Sequence, residues 1–397
     1  MQYREDKLNG NQLSALGFGC MRFPSRAGRI IGEKTEPLLL EAYERGVNYF
    51  DTAYLYNKSE EFVGEVFERH GIRKNLFLAT KLPHALCQGK EDLDRIFGVE
   101  LERLRTDYID YYLIHNLSEL VQWERLCQLG IEEWIAQKKE QGAIRRIGFS
   151  FHGTYPEFVR LLDAYDFEFT QIQYNYLNEH YQAGIQGLRY AAGKGLPVMV
   201  MEPLLGGKLA DSVPQAAAAL MEKAQPGSTP VSWAFKWVWN HPEATVLLSG
   251  MNEPEQLEEN LKLADTALPD SMTSDELAVI KEVVDIFTDS YKVLCTGCNY
   301  CMPCPKDINI PGILAALNTS YSIGRFAGIS QYMTNIGIAS GVPRLASSCI
   351  NCGACRERCP QNLEIPELMA QAKSRLQPPG MAALAPHVMK VIGRVMR

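Results

Sequence analysis

Eight short apolar runs alternate with helical segments over residues 14–250, and this alternation restricts the fold more than any other feature of the sequence. Between the runs, apolar residues recur at spacings of three and four, which predicts helices that bury one face. Apolar strands between such helices are typical of a parallel sheet that is covered on both faces. The predicted strands are 16–23, 47–53, 76–82, 108–116, 144–150, 169–175, 197–203 and 244–250.

The number and spacing of these repeats favour a closed (β/α)8 TIM barrel over an open doubly wound sheet. An open dinucleotide-binding sheet carries G-x-G-x-x-G after its first strand, whereas Gly17–Phe18–Gly19 lacks the third glycine here. Two further helices, 253–264 and 274–289, follow the last strand, so we assign residues 1–290 to the barrel. The other predicted helices are 35–46, 59–70, 91–105, 123–141, 156–165, 181–194 and 229–240.

The cysteines predict a second, metal-binding domain, because eight of the 11 fall between residues 295 and 359. They form two similar motifs, each ending in Cys-Pro and followed by Ile-Pro, as expected of a duplicated unit. The second motif has the spacing of bacterial ferredoxins, in which the fourth cysteine binds the cluster of the other motif. With such crossing, Cys304 serves the second cluster and Cys359 the first. The predicted ligands of two 4Fe–4S clusters are Cys295, Cys298, Cys301, Cys304, Cys349, Cys352, Cys355 and Cys359.

Other uses of these cysteines are a single intact cluster, a zinc site or disulfides. Structural zinc sites usually take well-separated cysteine pairs rather than three cysteines so close together. Disulfides between such close neighbours would be strained. They are also unexpected in the cytosol, and the start of the chain, MQYREDKLNG, does not resemble a signal peptide. No apolar stretch reaches the length of a membrane helix, so we expect a cytoplasmic protein with no membrane span. The remaining cysteines, which we do not expect to bind iron, are Cys20, Cys87 and Cys127.

Charge is distributed unevenly along the chain. Residues 291–397 contain 11 Lys and Arg against 4 Asp and Glu, a net charge of +7, whereas the whole chain carries −7. Iron–sulfur cubes with thiolate ligands are anionic, which accounts for this positive charge. Because the basic residues are spread out rather than clustered, we expect no nucleic-acid partner. We interpret 291–378 as a small α-helical, loop-rich ferredoxin-like domain and 379–397 as a basic C-terminal tail.

Four polar residues lie where predicted barrel strands end, which is the catalytic face of such barrels. Asp51 and Tyr56 follow the second strand, Lys81 ends the third, and His115 ends the fourth. A free tyrosine has a pKa of about 10, and a buried lysine beside it lowers that pKa, while an aspartate keeps the lysine charged. Tyr56 could then protonate a carbonyl oxygen, oriented by His115, as a hydride reaches the carbon. Taken singly, each residue is better explained by a structural role: Asp51 by capping a turn, Tyr56 by packing, Lys81 by solvation and His115 by burial in the core. Their joint occurrence at equivalent positions of the barrel predicts an active site.

Residues 10–265 resemble an aldo-keto reductase, through LGFGCMRF, DTAYLYNKSEEFVGE, TKLP, DYIDYYLIHN, RRIGFS, QIQYN and SGMNEPEQLEEN. The cysteine-rich part resembles a dicluster ferredoxin domain, and the fusion resembles the ferredoxin-linked branch of that family. The resemblance implies NADP(H) or NAD(H) across the barrel mouth and a catalytic tetrad of Asp51, Tyr56, Lys81 and His115. It also implies that the nicotinamide carboxamide is held by Ser150 and Gln173, and the adenosine phosphates by Gly250, Asn252, Gln256 and Asn260.

Three positions depart from the family pattern. Phe151 stands where the family often has an asparagine, and 201–203 (Met-Glu-Pro) offers no aromatic ring to stack on the nicotinamide. Gln256 stands where NADP-specific members place a basic residue. NADPH is the family default, and NADH stays an alternative.

The sequence as a whole favours an NAD(P)H-dependent oxidoreductase that reduces an aldehyde or ketone to an alcohol, with an appended iron–sulfur domain. The alternatives are an electron-transfer or redox-sensing protein whose barrel is a docking scaffold, and a flavin-coupled variant. The flavin-coupled alternative arises because nicotinamide transfers a two-electron hydride whereas the clusters transfer single electrons, and a flavin can do both. The expected partners are a small carbonyl or alcohol substrate and a redox protein that exchanges electrons with the clusters.

Overall fold

The computed structural model describes residues 1–26, 28–322, 324–336 and 344–378. The chain divides into two compact units that are interleaved in sequence. The first contains Met1–Leu204 and Val231–Glu276, and the second contains Leu205–Pro230 and resumes at Leu277. The boundaries at 290/291 and 378/379 therefore stay predictions. The basic tail predicted at 379–397 lies outside the described residues.

The first unit is built on a closed barrel of eight parallel strands, which confirms the predicted (β/α)8 TIM barrel. The strands of the chain are β1 (Tyr3–Asp6), β2 (Asn11–Ser14), β3 (Leu16–Gly19), β4 (Ser25–Arg26), β5 (Arg29–Ile30), β6 (Tyr49–Asp51), β7 (Phe77–Leu82), β8 (Ile109–Leu117), β9 (Ile144–Phe151), β10 (Phe169–Gln173), β11 (Val198–Met201) and β12 (Ala244–Ser249). Strands β3 and β6–β12 form the barrel, and β12 pairs with β3 to close it. All eight predicted barrel strands are present, and most are shorter than the apolar runs.

Helices connect the barrel strands, as the amphipathic segments predict. Within residues 1–204 they are α1 (Gly32–Glu44), α2 (Ser59–Arg69), α3 (Lys90–Leu104), α4 (Leu120–Gln128), α5 (Ile131–Glu140), α6 (Tyr155–Leu162) and α7 (Gly184–Gly193). Later in the chain come α8 (Lys208–Asp211), α9 (Gln215–Ala224), α10 (Pro230–Trp239), α11 (Pro254–Ala264) and α12 (Ser274–Ser290). Short 3-10 turns occupy Arg73–Asn75, His84–Leu86, Leu205–Gly207 and Ala346–Ser348. No helix among the described residues is long and apolar enough to span a membrane.

One predicted helix is wrong in its extent. The 123–141 segment is two helices, α4 and α5, because Gly130 between them adopts a left-handed conformation with φ of 80°. A helix needs negative φ throughout, and glycine enters the left-handed region with little penalty. The apolar spacing continues across this break, so periodicity alone did not reveal it.

The barrel interior is filled by side chains that alternate along the strands, and an N-terminal hairpin adds to this core. Strands β1 and β2 pair antiparallel, with Tyr3 opposite Ser14. The hydroxyl of Tyr111, which points into the interior from β8, donates to Asp6 of the hairpin at 2.8 Å. The interior cluster consists of Leu13, Tyr49, Ala79, Tyr111, Leu113, Phe169, Met199, Val246 and Leu248.

The second unit has its own apolar core, to which the cysteine motifs are attached. Its remaining helices are α13 (Ile310–Ser322), α14 (Arg325–Asn335), α15 (Ala354–Glu357) and α16 (Ile365–Leu376). The fully buried members of this core include Ile313, Leu314, Leu317 and Tyr332, and six of the motif cysteines pack against its edge or belong to it. The helices therefore form one wall of the space that the cysteines surround.

Two glycines in neighbouring helices give a matched test of the helix layer. A Cβ on Gly64 of α2 would lie 2.3 Å from the carbonyl oxygen of Arg103 in α3, whereas a Cβ on Gly98 of α3 would meet nothing within 4 Å. We expect Gly64→Ala to lower the free energy of unfolding by about 1–3 kcal/mol, because backbone cannot yield as a side chain can.

We expect Gly98→Ala to raise the free energy of unfolding by about 0.5–1 kcal/mol, because alanine loses less conformational entropy in a helix. Urea unfolding followed by tryptophan fluorescence measures both changes. All five tryptophans of the chain lie in the first unit, so the signal reports on the barrel. Equal effects of the two substitutions would contradict this account of the α2–α3 contact.

Candidate active site and cysteine cavities

The four predicted tetrad residues come together at the carboxyl end of the barrel strands. Asp51 ends β6, Lys81 lies one residue before the end of β7, and His115 lies near the end of β8. These three side chains are buried, and Tyr56, in the loop after β6, is half-buried. Parallel strands bring their carboxyl ends to one face of the barrel, which is why residues so distant in sequence meet.

Lys81 and Asp51 form a buried ion pair at the centre of this group. The Lys81 Nζ donates to both carboxylate oxygens of Asp51 at 2.6 Å and to the carbonyl oxygen of Thr52 at 2.7 Å. All three ammonium protons therefore have acceptors. Burial raises the pKa of the Asp51 carboxyl, and the Lys81 ammonium opposes that shift. The pair holds a positive charge inside the barrel mouth.

The Tyr56 ring lies against both this charge and His115. The Lys81 Nζ is 5.2 Å from the centroid of the Tyr56 ring, and the ring centroids of Tyr56 and His115 are 6.0 Å apart at an interplanar angle of 83°. A lysine cation at this distance is attracted by the face of an aromatic ring. The phenol is therefore placed between a fixed cation and an imidazole.

A β-bulge presents His115 to this group. The register between β8 and β9 shifts between Ile114 and Leu117, and Asn116 has a left-handed φ of 61°. The Asn116 N–H donates to the Ser150 hydroxyl at 2.8 Å, which holds the bulge to the neighbouring strand. Bulges of this kind re-aim side chains next to functional sites.

Two further buried histidines accompany His115. Burial lowers the pKa of His115 well below its ordinary value, and Lys81, His152 and His84 act in the same direction. Burial also lowers the pKa of His84 and of His152 to about 4, with a contribution from Arg125 at His84. All three imidazoles are thus neutral near pH 7, and His115 offers an uncharged N–H donor.

The residues implied in carboxamide binding lie on the next two strands. Ser150 is near the end of β9 and Gln173 ends β10, and both side chains are buried. Phe151 packs its ring against Phe149 and Phe158, at centroid distances of 6.1 and 5.2 Å. It therefore serves the apolar layer outside the strand and contributes no polar group at the position where the family often has an asparagine.

The residues implied in phosphate binding follow β12. Gly250 is exposed, and Asn252 precedes α11. The Gln256 Oε1 accepts from the Asn252 N–H at 3.0 Å, and the Asn260 Nδ2 donates to the Ser249 hydroxyl at 3.0 Å. These side chains fix the backbone of the turn before α11, where free N–H groups of a helix start favour an anionic group.

An arginine that the sequence analysis did not consider lies beside this turn. The Cβ and Cδ of Arg22, in the loop after β3, are 3.5 and 3.8 Å from the position of a Cβ on Gly250. A cation that directly follows the first barrel strand is the sequence signal that could have identified it. Its guanidinium suits a phosphate group near Gly250.

The cysteines of the second unit surround two cavities, in the crossed arrangement that the spacing predicts. Cys295, Cys298, Cys301 and Cys359 line the first cysteine cavity. Cys304, Cys349, Cys352 and Cys355 line the second cysteine cavity, and Cys301 borders it as well. Among the described residues, no three His, Cys, Asp or Glu side chains converge on a site for a metal ion. The cysteines enclose a volume rather than a point.

The thiols of each cavity are electrostatically coupled. Burial, together with the neighbouring thiolates of Cys295, Cys298 and Cys359, raises the pKa of Cys301 to about 12. Burial also raises the pKa of Cys355, and Cys349 and Cys352 contribute. Four thiolates in one cavity need positive charge to stay deprotonated, which iron supplies when it binds. The donor sets therefore fit two 4Fe–4S clusters.

Comparison with known proteins gives a family match for each of two parts of the chain. The profile of the aldo/keto reductase family matches residues 15–281, and that of the 4Fe-4S dicluster domain matches residues 294–363. The chain belongs to the aldo/keto reductase family.

Several proteins are similar to this family member over part of its chain. An uncharacterized oxidoreductase, YqkF of Bacillus subtilis, is 26% identical over 70% of this chain and 95% of its own length. An aldo-keto reductase of Mycolicibacterium vanbaalenii is 27% identical over 68% of this chain and 88% of its own. The Schizosaccharomyces pombe aldo-keto reductase yakc, whose name carries NADP(+), is 31% identical over 36% of this chain and 44% of its own.

The fold is also found in a solved aldo/keto reductase. The holo form of aldo-keto reductase AKR11C1 from Bacillus halodurans superposes with a TM-score of 0.59 at 24% identity. It covers 71% of this chain and 96% of its own. At this identity the likeness establishes the barrel fold.

Sequence reasoning missed His84 and His152 at the mouth of the barrel. Both lie just beyond the end of a barrel strand, β7 and β9 respectively, as His115 lies near the end of β8. The argument that selected His115 applies to them equally. They escaped because neither belongs to a motif of the aldo/keto reductase resemblance.

The buried histidines predict how the stability of this aldo/keto reductase barrel depends on pH. An unfolded histidine has a pKa of about 6.5, so between about pH 6.5 and 4 the unfolded chain binds protons that His84 and His152 refuse in the folded state. The free energy of unfolding is therefore not reduced by these two histidines above about pH 6.5, and it decreases as the pH falls from there to about 4. Urea unfolding at each pH, followed by tryptophan fluorescence, measures it.

The matched variants are His84→Asn and His180→Asn. The first should lose about 3 kcal/mol less stability between pH 6.5 and 4 than the parent, because about 1.4 kcal/mol accompanies each unit of pKa shift. His180 is exposed, so its replacement should leave the pH profile unchanged. Parallel profiles for the parent and His84→Asn would contradict the prediction.

Proposed function

We propose that this aldo/keto reductase family member reduces an aldehyde or ketone to an alcohol with NADPH or NADH, and that its second unit carries two 4Fe–4S clusters for electron transfer. The observation that carries the first part is the buried Lys81–Asp51 ion pair beside Tyr56 and a neutral His115. An ion pair of this kind is useful for acid catalysis, because a fixed cation stabilises the anion that a proton donor leaves behind.

In the proposed reaction, His115 donates a hydrogen bond to the substrate carbonyl oxygen and orients it. The Tyr56 hydroxyl then gives its proton to that oxygen, and the O–H bond of the phenol breaks as the O–H bond of the alcohol forms. Lys81 stabilises the resulting phenolate, and Asp51 holds Lys81 in place. When bound, the reduced nicotinamide supplies the hydride that the carbonyl carbon receives. A proton from solvent restores Tyr56 for the next cycle.

We assign the nucleotide to the residues around this group. Ser150 and Gln173 are buried polar groups at the ends of adjacent strands and suit a carboxamide. The turn at Gly250, kept in shape by Gln256 and Asn260, suits the phosphates together with Arg22. NADP(H) is supported by the relative whose name carries NADP(+). NADH is supported by Gln256, which offers no positive charge to a 2′-phosphate.

We assign one cluster to each cysteine cavity. The first cysteine cavity uses the initial three cysteines of one motif and the last cysteine of the other, and the second cavity uses the complementary set. When bound, the clusters accept and release single electrons. Their external partner in this proposal is a redox protein, since nicotinamide exchanges hydride rather than single electrons.

The carbonyl reductase proposal is tested by Tyr56→Phe. Removal of the phenolic proton should lower kcat/KM for simple aldehydes by about 10²–10⁴-fold, the range that a general acid contributes. Nucleotide affinity, measured by fluorescence titration, should be unchanged because the ring remains. Tyr54→Phe is the matched control, since that ring lies two residues away under Arg103, at 4.4 Å. Full turnover of Tyr56→Phe, or no nicotinamide oxidation by the parent with any carbonyl, would overturn the proposal.

The crossed cluster assignment is tested by Cys304→Ser and Cys359→Ser in anaerobically purified protein. Cys304→Ser should perturb the same cluster signal in electron paramagnetic resonance as Cys352→Ser, although Cys304 belongs to the other motif. Cys359→Ser should perturb the same signal as Cys298→Ser. The parent should contain about eight iron and eight sulfide per chain under four-cysteine ligation. Cys127→Ser is the control and should lose no iron, and pairing of signals by motif would contradict the crossing.

A further inference from the structure

A short segment of the second unit, residues 205–212, packs against the start of the first cysteine motif. Gly206 has a left-handed φ of 68°, and a Cβ there would lie 2.3 Å from the carbonyl oxygen of Thr296. The hydroxyl of Tyr291 donates to the carbonyl oxygen of Ser212 at 2.5 Å. Gly206 is thus held against Thr296, the neighbour of Cys295, where only glycine fits the close approach, and Ser212 is tied to Tyr291.

This segment places a lysine beside the first cysteine cavity. The Lys208 Nζ donates to the carbonyl oxygen of Val293 at 3.4 Å and lies 5.0 Å from the centroid of the Tyr291 ring. The side chain is half-buried and Val293 is fully buried. Burial lowers the pKa of Lys208, and the Cys295 thiolate acts in the opposite direction. Because Val293 is only two residues before Cys295, this contact brings the ammonium close to Cys295, and half-burial shields it from much of the solvent.

We infer that Lys208, held beside Cys295 by Val293 and Tyr291, raises the reduction potential of the cluster in the first cysteine cavity. The inference rests on the proposed cluster assignment. When an external reductant gives one electron to the oxidised cluster, the cluster and its thiolates gain one negative charge. A nearby cation favours that more negative state, and net charge and solvent exposure are the main determinants of cluster potential.

The second cysteine cavity has no equivalent among the described residues. Its lining includes two cations, Lys306 and Arg358, and both are exposed to water, as is its ligand Cys352. Exposed charges are screened by water and salt, so they act weakly on a neighbouring group. Lys208 thus distinguishes the two clusters, which have identical ligand types.

The test is a redox titration of the full chain, followed by electron paramagnetic resonance, with Lys208→Met. Methionine keeps an unbranched apolar stem against Tyr291 and removes the charge. We expect one midpoint potential to fall by at least 59 mV, which corresponds to a tenfold change in the equilibrium constant of a one-electron reduction. The other midpoint should stay constant. Lys208→Arg should restore the parent value, and Lys208→Gln provides a second neutral variant if Lys208→Met folds poorly.

Lys292→Met is the matched control, because Lys292 is three residues from Cys295 in sequence but exposed. It should change either midpoint by less than threefold in the reduction equilibrium. Full iron content with unchanged potentials in both neutral Lys208 variants would overturn this inference and leave the cluster assignment intact. Absence of iron and sulfide in the parent would overturn the cluster assignment and this inference together. An equal shift in Lys292→Met would also overturn it, since the burial of Lys208 would then be irrelevant.

Discussion

The barrel mouth depends on one interaction, the buried ion pair between Lys81 and Asp51. Two charges in a protein interior are costly unless they are paired and their hydrogen bonds are satisfied. Here the Lys81 ammonium donates its third hydrogen bond to the Thr52 carbonyl oxygen, so each of its N–H groups has an acceptor. The pair in turn places a cation against Tyr56, and that cation adds to the burial that lowers the pKa of His115. Loss of either partner would disturb all of these relations together.

The second unit obeys a different constraint. Its helices bury a core of modest size; five of the motif cysteines pack against that core, and Cys301 belongs to it. Thiols gathered in this way resist ionisation, as the raised pKa of Cys301 and Cys359 shows. Metal binding and folding are coupled where ligands must be deprotonated and brought together. The lysine and arginine residues of this part of the chain also favour the deprotonated thiols, because they carry positive charge.

Much of the fold follows from the sequence, because apolar periodicity records which faces are buried. All eight barrel strands, and the face on which Asp51, Lys81 and His115 meet, are consequences of that pattern. The break at Gly130 is not, since φ at one glycine leaves the periodicity of α4 and α5 intact. The sequence pattern also did not predict that residues 205–230 belong to the second unit, because a helix-forming pattern does not indicate which core the helix joins. Within the site, the crossed grouping of the cysteines was predictable from local motifs, and Arg22 could have been found from its place just after the first barrel strand. Lys208, by contrast, depends on its tertiary contact with Val293.

The interleaving of the two units has a consequence for how this protein is made and how it can be divided. The chain leaves the barrel after Leu204, enters the second unit, and returns at Val231 to supply α10 and β12 before it leaves again. During synthesis, residues 205–230 emerge long before the cysteine motifs on which Gly206 and Lys208 pack. No single cut in the chain separates the two units, so gene fusion and truncation at one position leave a fragment of one unit in the other.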